Sequence, residues 1–244
     1  MDDKWAFYAA FEDRYRGSFD EIKQRVADYL PYVCGYAHDA IGLPVIDLGS
    51  GRGEWLSLLR ENNIVGVGVD QNPVAVDLAK SQGLDVTLGD AFEFLSAMKN
   101  GSACAATAFH LVEHLPWELQ LRLFTETHRV LAPGGQFIVE WPNCENIMVA
   151  TQYFWFDPTH VKPLPVQLAS FMAEFAGFTE IEVKRFRPPS FHNKLREKGN
   201  DVKKPFYSRF FRNQPDIDHE PTPELRALGA AVRTGLDIAL VCKK

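Results

Sequence analysis

Val45-Ile46-Asp47-Leu48 runs directly into Gly49-Ser50-Gly51-Arg52-Gly53, and Glu54 to Glu61 follows with helical spacing. Three apolar residues around one aspartate, a glycine loop and a helix form one supersecondary unit. Glycines let the backbone turn tightly and let a ligand lie against bare main chain. The helix that follows offers unpaired N–H groups at its start. The spacing is G-x-G-x-G, not the G-x-G-x-x-G of dinucleotide binders. Glu54 stands where the third glycine of that pattern would be. A carboxylate there is a poor neighbour for a pyrophosphate, so the loop favours a ligand without phosphates and speaks against a nicotinamide dehydrogenase.

Two more carboxylates stand at strand ends. Asp70 closes Val67-Gly68-Val69-Asp70, about twenty residues beyond the loop, where an acid can accept hydrogen bonds from ribose hydroxyls. Asp90 follows the next strand in Gly89-Asp90-Ala91-Phe92. An acid there can take an adenine amino group while Ala91 or Phe92 packs on the ring. Asp47, Asp70 and Asp90 together outline a nucleoside site.

Outward from this region the chain alternates strand and helix signals. Strands are expected at Ile64 to Val69, Val86 to Leu88, Ala103 to Phe109, Gln136 to Trp141, Ile181 to Phe186 and Thr234 to Cys242. Helices are expected from Asn72-Pro73 to about Gln82, from Phe92 to Met98, from Trp117 to Leu131 with Pro133-Gly134-Gly135 as its stop, and from Pro165 to Phe175. Such alternation predicts an α/β fold: a mostly parallel, Rossmann-like sheet with helices on both faces. Residues 1–40 read as a helical cap, with Ser18 and Glu21 as a capping box and Pro31 disturbing or ending the helix. Residues 41–187 form the core, 188–230 a basic loop or insertion, and 231–244 the last strand, all within one domain.

These residues resemble motifs I, II and III of class I S-adenosylmethionine (SAM)-dependent methyltransferases, over about Val45 to Trp141. The resemblance implies a seven-stranded sheet with an antiparallel last strand. It places Gly49, Gly51 and Gly53 along the methionine portion of SAM, Asp47 near its ammonium, Asp70 on the ribose, and Asp90 with Ala91 on the adenine. Phe109, at the tip of the fourth strand, joins the cofactor contacts.

The fourth strand ends at Phe109-His110-Leu111-Val112-Glu113-His114-Leu115, which should face the transferred methyl group, because open α/β sheets bind ligands beyond their carboxyl strand ends. A hydroxyl acceptor must lose its proton, and histidine suits that task near neutral pH. His110 is the first candidate base and His114 the second. His-x-x-x-His lacks an evident third ligand, so no metal is assigned. Asn143 and His160, in Trp141-Pro142-Asn143 and Asp157-Pro158-Thr159-His160, are candidate acceptor contacts. Arg14, Tyr15 and Arg16 stand in a stretch that could close as a lid and clamp a carboxylate or phosphate. Phe-Glu-Asp-Arg-Tyr-Arg-Gly-Ser, Phe-His-Leu-Val-Glu-His-Leu-Pro and Asp-Pro-Thr-His together resemble bacterial O-antigen chain-terminating methyltransferases and related cell-surface polysaccharide enzymes. That likeness implies O-methylation of a terminal sugar, or its phosphate, on a lipid-linked glycan. A non-glycan small molecule, or a non-catalytic SAM-binding role beside a polysaccharide enzyme, are the alternatives.

Composition narrows the classes. The net charge of −6 argues against nucleic acid as a partner. Ten basic residues against two acidic ones between Lys184 and Arg212 leave −14 for the rest, and this basic stretch suits a peripheral membrane or protein partner. Four scattered cysteines form no C-x-x-C pair. No apolar run approaches a membrane span and no secretory leader is evident, so a cytoplasmic protein is expected.

Overall fold

A computed structural model describes residues 3–33, 42–186, 231 and 234–244. Seven strands form one sheet in the order β3-β2-β1-β4-β5-β7-β6. They are β1 (Val45–Leu48), β2 (Gly66–Asp70), β3 (Val86–Leu88), β4 (Ala103–Phe109), β5 (Leu131–Pro142), β6 (Glu180–Phe186) and β7 (Asp237–Lys243). The pairs among β1 to β5 are parallel, whereas β7 runs antiparallel to both of its neighbours, β5 and β6. The fold is therefore the expected Rossmann-like sheet. The final segment is wedged between β5 and β6, so it belongs to the core and is no appendage.

Strand side chains alternate between two cores, as the two-residue period requires. Phe137, Val139 and Trp141 of β5 pack on one face with Leu123, Phe124 and Met172, while Ile138 packs on the other with Tyr29, Trp55 and Leu59. On the second face lie α2 (Phe19–Val26), α3 (Glu54–Glu61) and α4 (Pro73–Ser81); α5 (Ala91–Ala97), α6 (Trp117–Val130) and α7 (Val166–Ala176) cover the first. Helix α1 (Asp3–Tyr15) lies against α4, across the carboxyl end of the sheet.

Local chemistry sets these boundaries. Ser18 and Glu21 complete a capping box at α2. Asn72 caps α4 by accepting from the Val74 N–H, with Pro73 at the first helical position. Gly177 ends α7 in a left-handed conformation. Two expectations need correcting. The helix after Ser18 breaks before Pro31, into a 3-10 turn at Ala27–Tyr29, and residues 30–33 are helical again. Proline is harmless in the first turn of a helix, where its missing N–H has no partner to lose. Pro133-Gly134-Gly135 does not separate α6 from β5; the strand starts at Leu131 and absorbs the glycines in a register shift opposite Ala103 and Ala105. Among the described residues, no helix is long and apolar enough to cross a membrane. The 188–230 insertion, and the basic stretch from Arg187 to Arg212, lie outside the described residues.

Candidate active site

Two adjoining cavities open beyond the carboxyl ends of β1, β2 and β4. The larger, about 380 Å³, is lined by Gly49, Gly51, Asp70, Asp90, Ala91 and Phe92, among others. The smaller, about 280 Å³, is lined by the aromatic rings of Tyr8, Phe11, Tyr15, Tyr153 and Phe156 and by several carboxylates. Tyr8, Glu12, Arg16, Phe109, His110 and His114 line both and form the neck between them.

The glycine loop is shaped for close approach. Gly49, Gly51 and Gly53 all have positive φ. A Cβ on Gly51 would face the Arg16 guanidinium at 3.7 Å, so bare backbone and a cation look at each other across the larger cavity. A Cβ on Gly53 would lie 2.4 Å from Leu84, so this glycine is needed for packing and does not line the cavity. Asp70 Oδ2 accepts from the Gly51 N–H and Oδ1 from the Asn72 N–H, both at 2.8 Å. Burial raises its pKa against those hydrogen bonds. Asp90 caps α5 through Oδ1, and its Oδ2 accepts from Gln71. Asp47 lies behind the loop, 2% exposed, and is not among the cavity-lining residues. Burial pushes its carboxyl up to about 7, although the Thr107 hydroxyl donates to it at 2.7 Å.

At the neck, His110 has φ of +54°, in the left-handed region that non-glycine residues rarely occupy. Its Nδ1 is 3.0 Å from Glu113 Oε1; its Nε2 is 3.1 Å from Glu140 Oε1 and 3.4 Å from Asp237 Oδ1. Burial alone would lower its pKa, but Glu113 and Glu140 override that and hold it at about 10. At neutral pH His110 is thus an imidazolium between carboxylates, with no lone pair to take a proton. Glu113, fully buried, stays ionised because His110 outweighs the cost of burial.

His114 is held differently. The Thr159 hydroxyl donates to Asp157 Oδ1 at 2.6 Å and lies 2.8 Å from His114 Nδ1. Its single proton goes to the carboxylate, so His114 Nδ1–H is the donor to Thr159; in the tautomer this selects, Nε2 is the acceptor nitrogen of the ring. His160 Nδ1–H donates to the Phe154 carbonyl at 2.6 Å, which likewise leaves Nε2 bare. Burial lowers the His160 pKa, though Glu113 opposes it. The two rings meet edge to face, 4.7 Å between centroids.

Other candidates fall elsewhere. Asn143 is buried and ties β5 to the chain before β7 by donating to the Gly235 carbonyl at 2.8 Å. Arg14 is exposed over the Tyr15 ring. Arg16, paired with Glu12, stands at the neck. Tyr8, Glu12, Glu140, Asp157, Thr159 and Asp237 are contributors that sequence reasoning did not single out. A signal existed for one of them: Glu140 interrupts the apolar run Phe137-Ile138-Val139-Glu140-Trp141, and a buried acid needs a partner.

A glycine loop, acids at the next two strand ends and an adjoining acceptor-sized cavity define a nucleoside-binding transferase site on a Rossmann-like sheet. Residues 14–183 match the family model described as a methyltransferase domain, and the chain belongs to that family. A protein of Mycolicibacterium smegmatis described as a probable S-adenosylmethionine-dependent methyltransferase is 29% identical over 60% of this chain; the match spans 55% of that relative, about half its length. Among solved structures, a SAM-dependent methyltransferase from Archaeoglobus fulgidus superimposes with a TM-score of 0.76 at 25% identity, covering 98% of this chain and 100% of the other. A SAM-dependent methyltransferase of Thermotoga maritima, described as a possible histamine N-methyltransferase, shares the fold with a TM-score of 0.59 at 17% identity, over 98% and 99% of the two chains. The chain therefore carries a SAM-dependent methyltransferase domain, and the larger cavity is the place where its residues fit the cofactor.

Proposed function

We propose that this domain transfers the methyl group of SAM to a sugar hydroxyl, on a cell-surface glycan built on a lipid carrier. The observation that carries the reading is the cluster beside the neck, where His114 and His160 place ring nitrogens within 4.8 Å of the buried Glu113 carboxylate. A hydroxyl is a poor nucleophile until its proton is drawn off, and such a cluster serves that end. The smaller cavity suits a sugar in other ways. Tyr15, Tyr153 and Phe156 are half-exposed rings that a sugar can pack on, and Glu12, Asp157 and Asp237 supply carboxylates. A phosphate acceptor fits less well. Among the described lining residues five are carboxylates against two arginines, of which Arg16 is paired with Glu12 and Arg25 donates to the Arg16 carbonyl. The cations between Lys184 and Arg212 suit an anionic lipid carrier.

Carboxylates among aromatic faces also suit an ammonium-bearing substrate, which supports an amine acceptor as the second reading. Methyl-labelled SAM incubated with the protein and cell extract separates the two. We expect label in a lipid-extractable product that glycosidases degrade to a methylated sugar. Label on nitrogen, or in a product without sugar, overturns the glycan reading. Replacing His114 with alanine should cut turnover by roughly 10²–10⁴, while calorimetry still shows SAM binding.

A further inference from the structure

We propose that Glu113, His114 and His160 together bind one divalent metal ion, which holds and acidifies the acceptor hydroxyl. The three side chains each place a ligand atom within 4.8 Å of the other two. All three line the smaller cavity, and His114 also lines the larger one. An ion there would sit beside both methyl donor and acceptor.

The hydrogen bonding around the cluster is that of an outer coordination shell. Metal-binding histidines give their second N–H to a carbonyl or carboxylate, which fixes the tautomer and aims the free nitrogen. His160 does this with the Phe154 carbonyl, and His114 does it through Thr159 to Asp157. Glu113 takes one hydrogen bond, from His110 on Oε1; its Oε2 is buried and has no hydrogen-bond partner. Leaving a carboxylate oxygen bare in the interior is costly unless a cation or donor meets it.

Distance separates this cluster from its neighbour. In the group His110, Glu140 and Asp237 the ring nitrogen lies 3.1 and 3.4 Å from the carboxylates, within hydrogen-bond reach, so a ring N–H fills the gap and leaves no room for an ion. His160 Nε2 and Glu113 Oε1 are 3.9 Å apart. That is too long for a hydrogen bond, and it falls between the roughly 3 Å of adjacent ligands and 4.2 Å of opposite ligands around an ion with bonds of about 2.1 Å. His110 and His114, adjacent in the sequence pattern, thus belong to different groups, and the third ligand comes from Asp-Pro-Thr-His.

Two imidazoles and one carboxylate favour a first-row divalent ion such as Mn²⁺ or Zn²⁺ over Mg²⁺ or Ca²⁺. Three protein ligands leave positions open for substrate. Resting on the hydroxyl reading above, the step balances simply. The acceptor oxygen binds the ion, and its proton passes to water. The oxygen lone pair then forms the bond to the methyl carbon as the C–S bond breaks. The C–S electron pair stays on sulfur, which becomes a neutral thioether.

The test is ion binding by the chelator-treated full chain, without any acceptor. Mn²⁺ is followed by loss of its free-ion electron paramagnetic resonance signal and Zn²⁺ by calorimetry. We expect one ion per chain. The variant His160→Gln should weaken binding at least tenfold, with SAM affinity kept within about twofold to report an intact fold. Glu113→Gln should do the same; because it also releases His110, His160→Gln and His114→Gln are the deciding variants. Failure to bind either ion stoichiometrically, or unchanged binding in both histidine variants, overturns the site. With labelled SAM and extract, chelation should abolish methyl transfer and Mn²⁺ restore it; transfer that persists without the ion overturns the catalytic role. Ion binding is measured without substrate, so it stands or falls separately from the identity of the acceptor.

Discussion

Asp47 is a carboxylate buried at a cost to stability. Its carboxyl is buried beneath the glycine turn, where removal from water pushes its pKa to about 7, well above the ordinary value of 3.8. Between those values the folded chain holds a proton that the unfolded chain has released. Stability from this group is therefore full at acid pH and falls as pH rises, levelling off above about 7. At about 1.4 kcal/mol per pH unit, the loss is at most on the order of 4 kcal/mol. Asparagine keeps an oxygen for the Thr107 hydroxyl and never ionises. Thermal melts from pH 4 to 8 should thus show wild type losing ground to Asp47→Asn across that window, and parallel curves would refute the assignment. At this scale the sequence was most legible where backbone needs are explicit. The strand-loop-helix at Val45 to Glu61, Asp70, Asp90 and the Asn72 cap were readable because glycine, carboxylate and proline constrain the chain locally. The state of His110 was not readable. Glu113, three residues on, was in view, but the state also depends on Glu140, thirty residues on, and on Asp237, which comes from the far end of the chain.

Among the elements, α1 does most to join the two cavities. Tyr8 and Glu12 of α1, and Arg16 just past its end with its N–H still donating to the Glu12 carbonyl, follow one another at four-residue spacing, so they share one face, and that face lines the neck. Tyr8 donates to Asp157 Oδ2 at 3.0 Å, and Phe11 and Tyr15 pack on Phe156. Arg16 stands over Gly51, where the methionine carboxylate of SAM would lie if the loop receives that end of the cofactor. Replacing Arg16 with alanine should weaken SAM binding about tenfold, equivalent to 1.4 kcal/mol. It should also speed amide exchange across residues 3–15, because Glu12 is left buried without its partner. Calorimetry showing wild-type affinity would remove Arg16 from the cofactor site. The aromatic and basic character of this stretch was visible in sequence and suggested a lid. Which arginine turns inward was not, because Arg14 and Arg16 differ only in the direction that helical geometry gives them.

Across the whole molecule, the sheet order explains why distant parts of the chain meet at one point. Placing β7 between β5 and β6 carries Asp237 to the carboxyl end of β4, beside His110, while the turn after β5 brings Phe154 to His160 over the same opening. Helix α1 then spans the glycine loop on one side and this turn on the other. Tyr153 and Phe156 line only the smaller cavity, so a ligand confined to the larger one does not touch them. If α1 is the physical link, filling the larger cavity must still order that turn, because both rest on the same helix. S-adenosylhomocysteine at a hundred times its Kd stabilises the folded state by about 2.7 kcal/mol. Under those conditions hydrogen exchange should slow not only at residues 49–54 but also across 3–15 and 150–160. In Arg16→Ala with the ligand raised to equal occupancy, protection of 150–160 should shrink while that of 49–54 persists. Protection confined to the glycine loop in both proteins would mean that the cavities act separately, and that α1 covers them without coupling them.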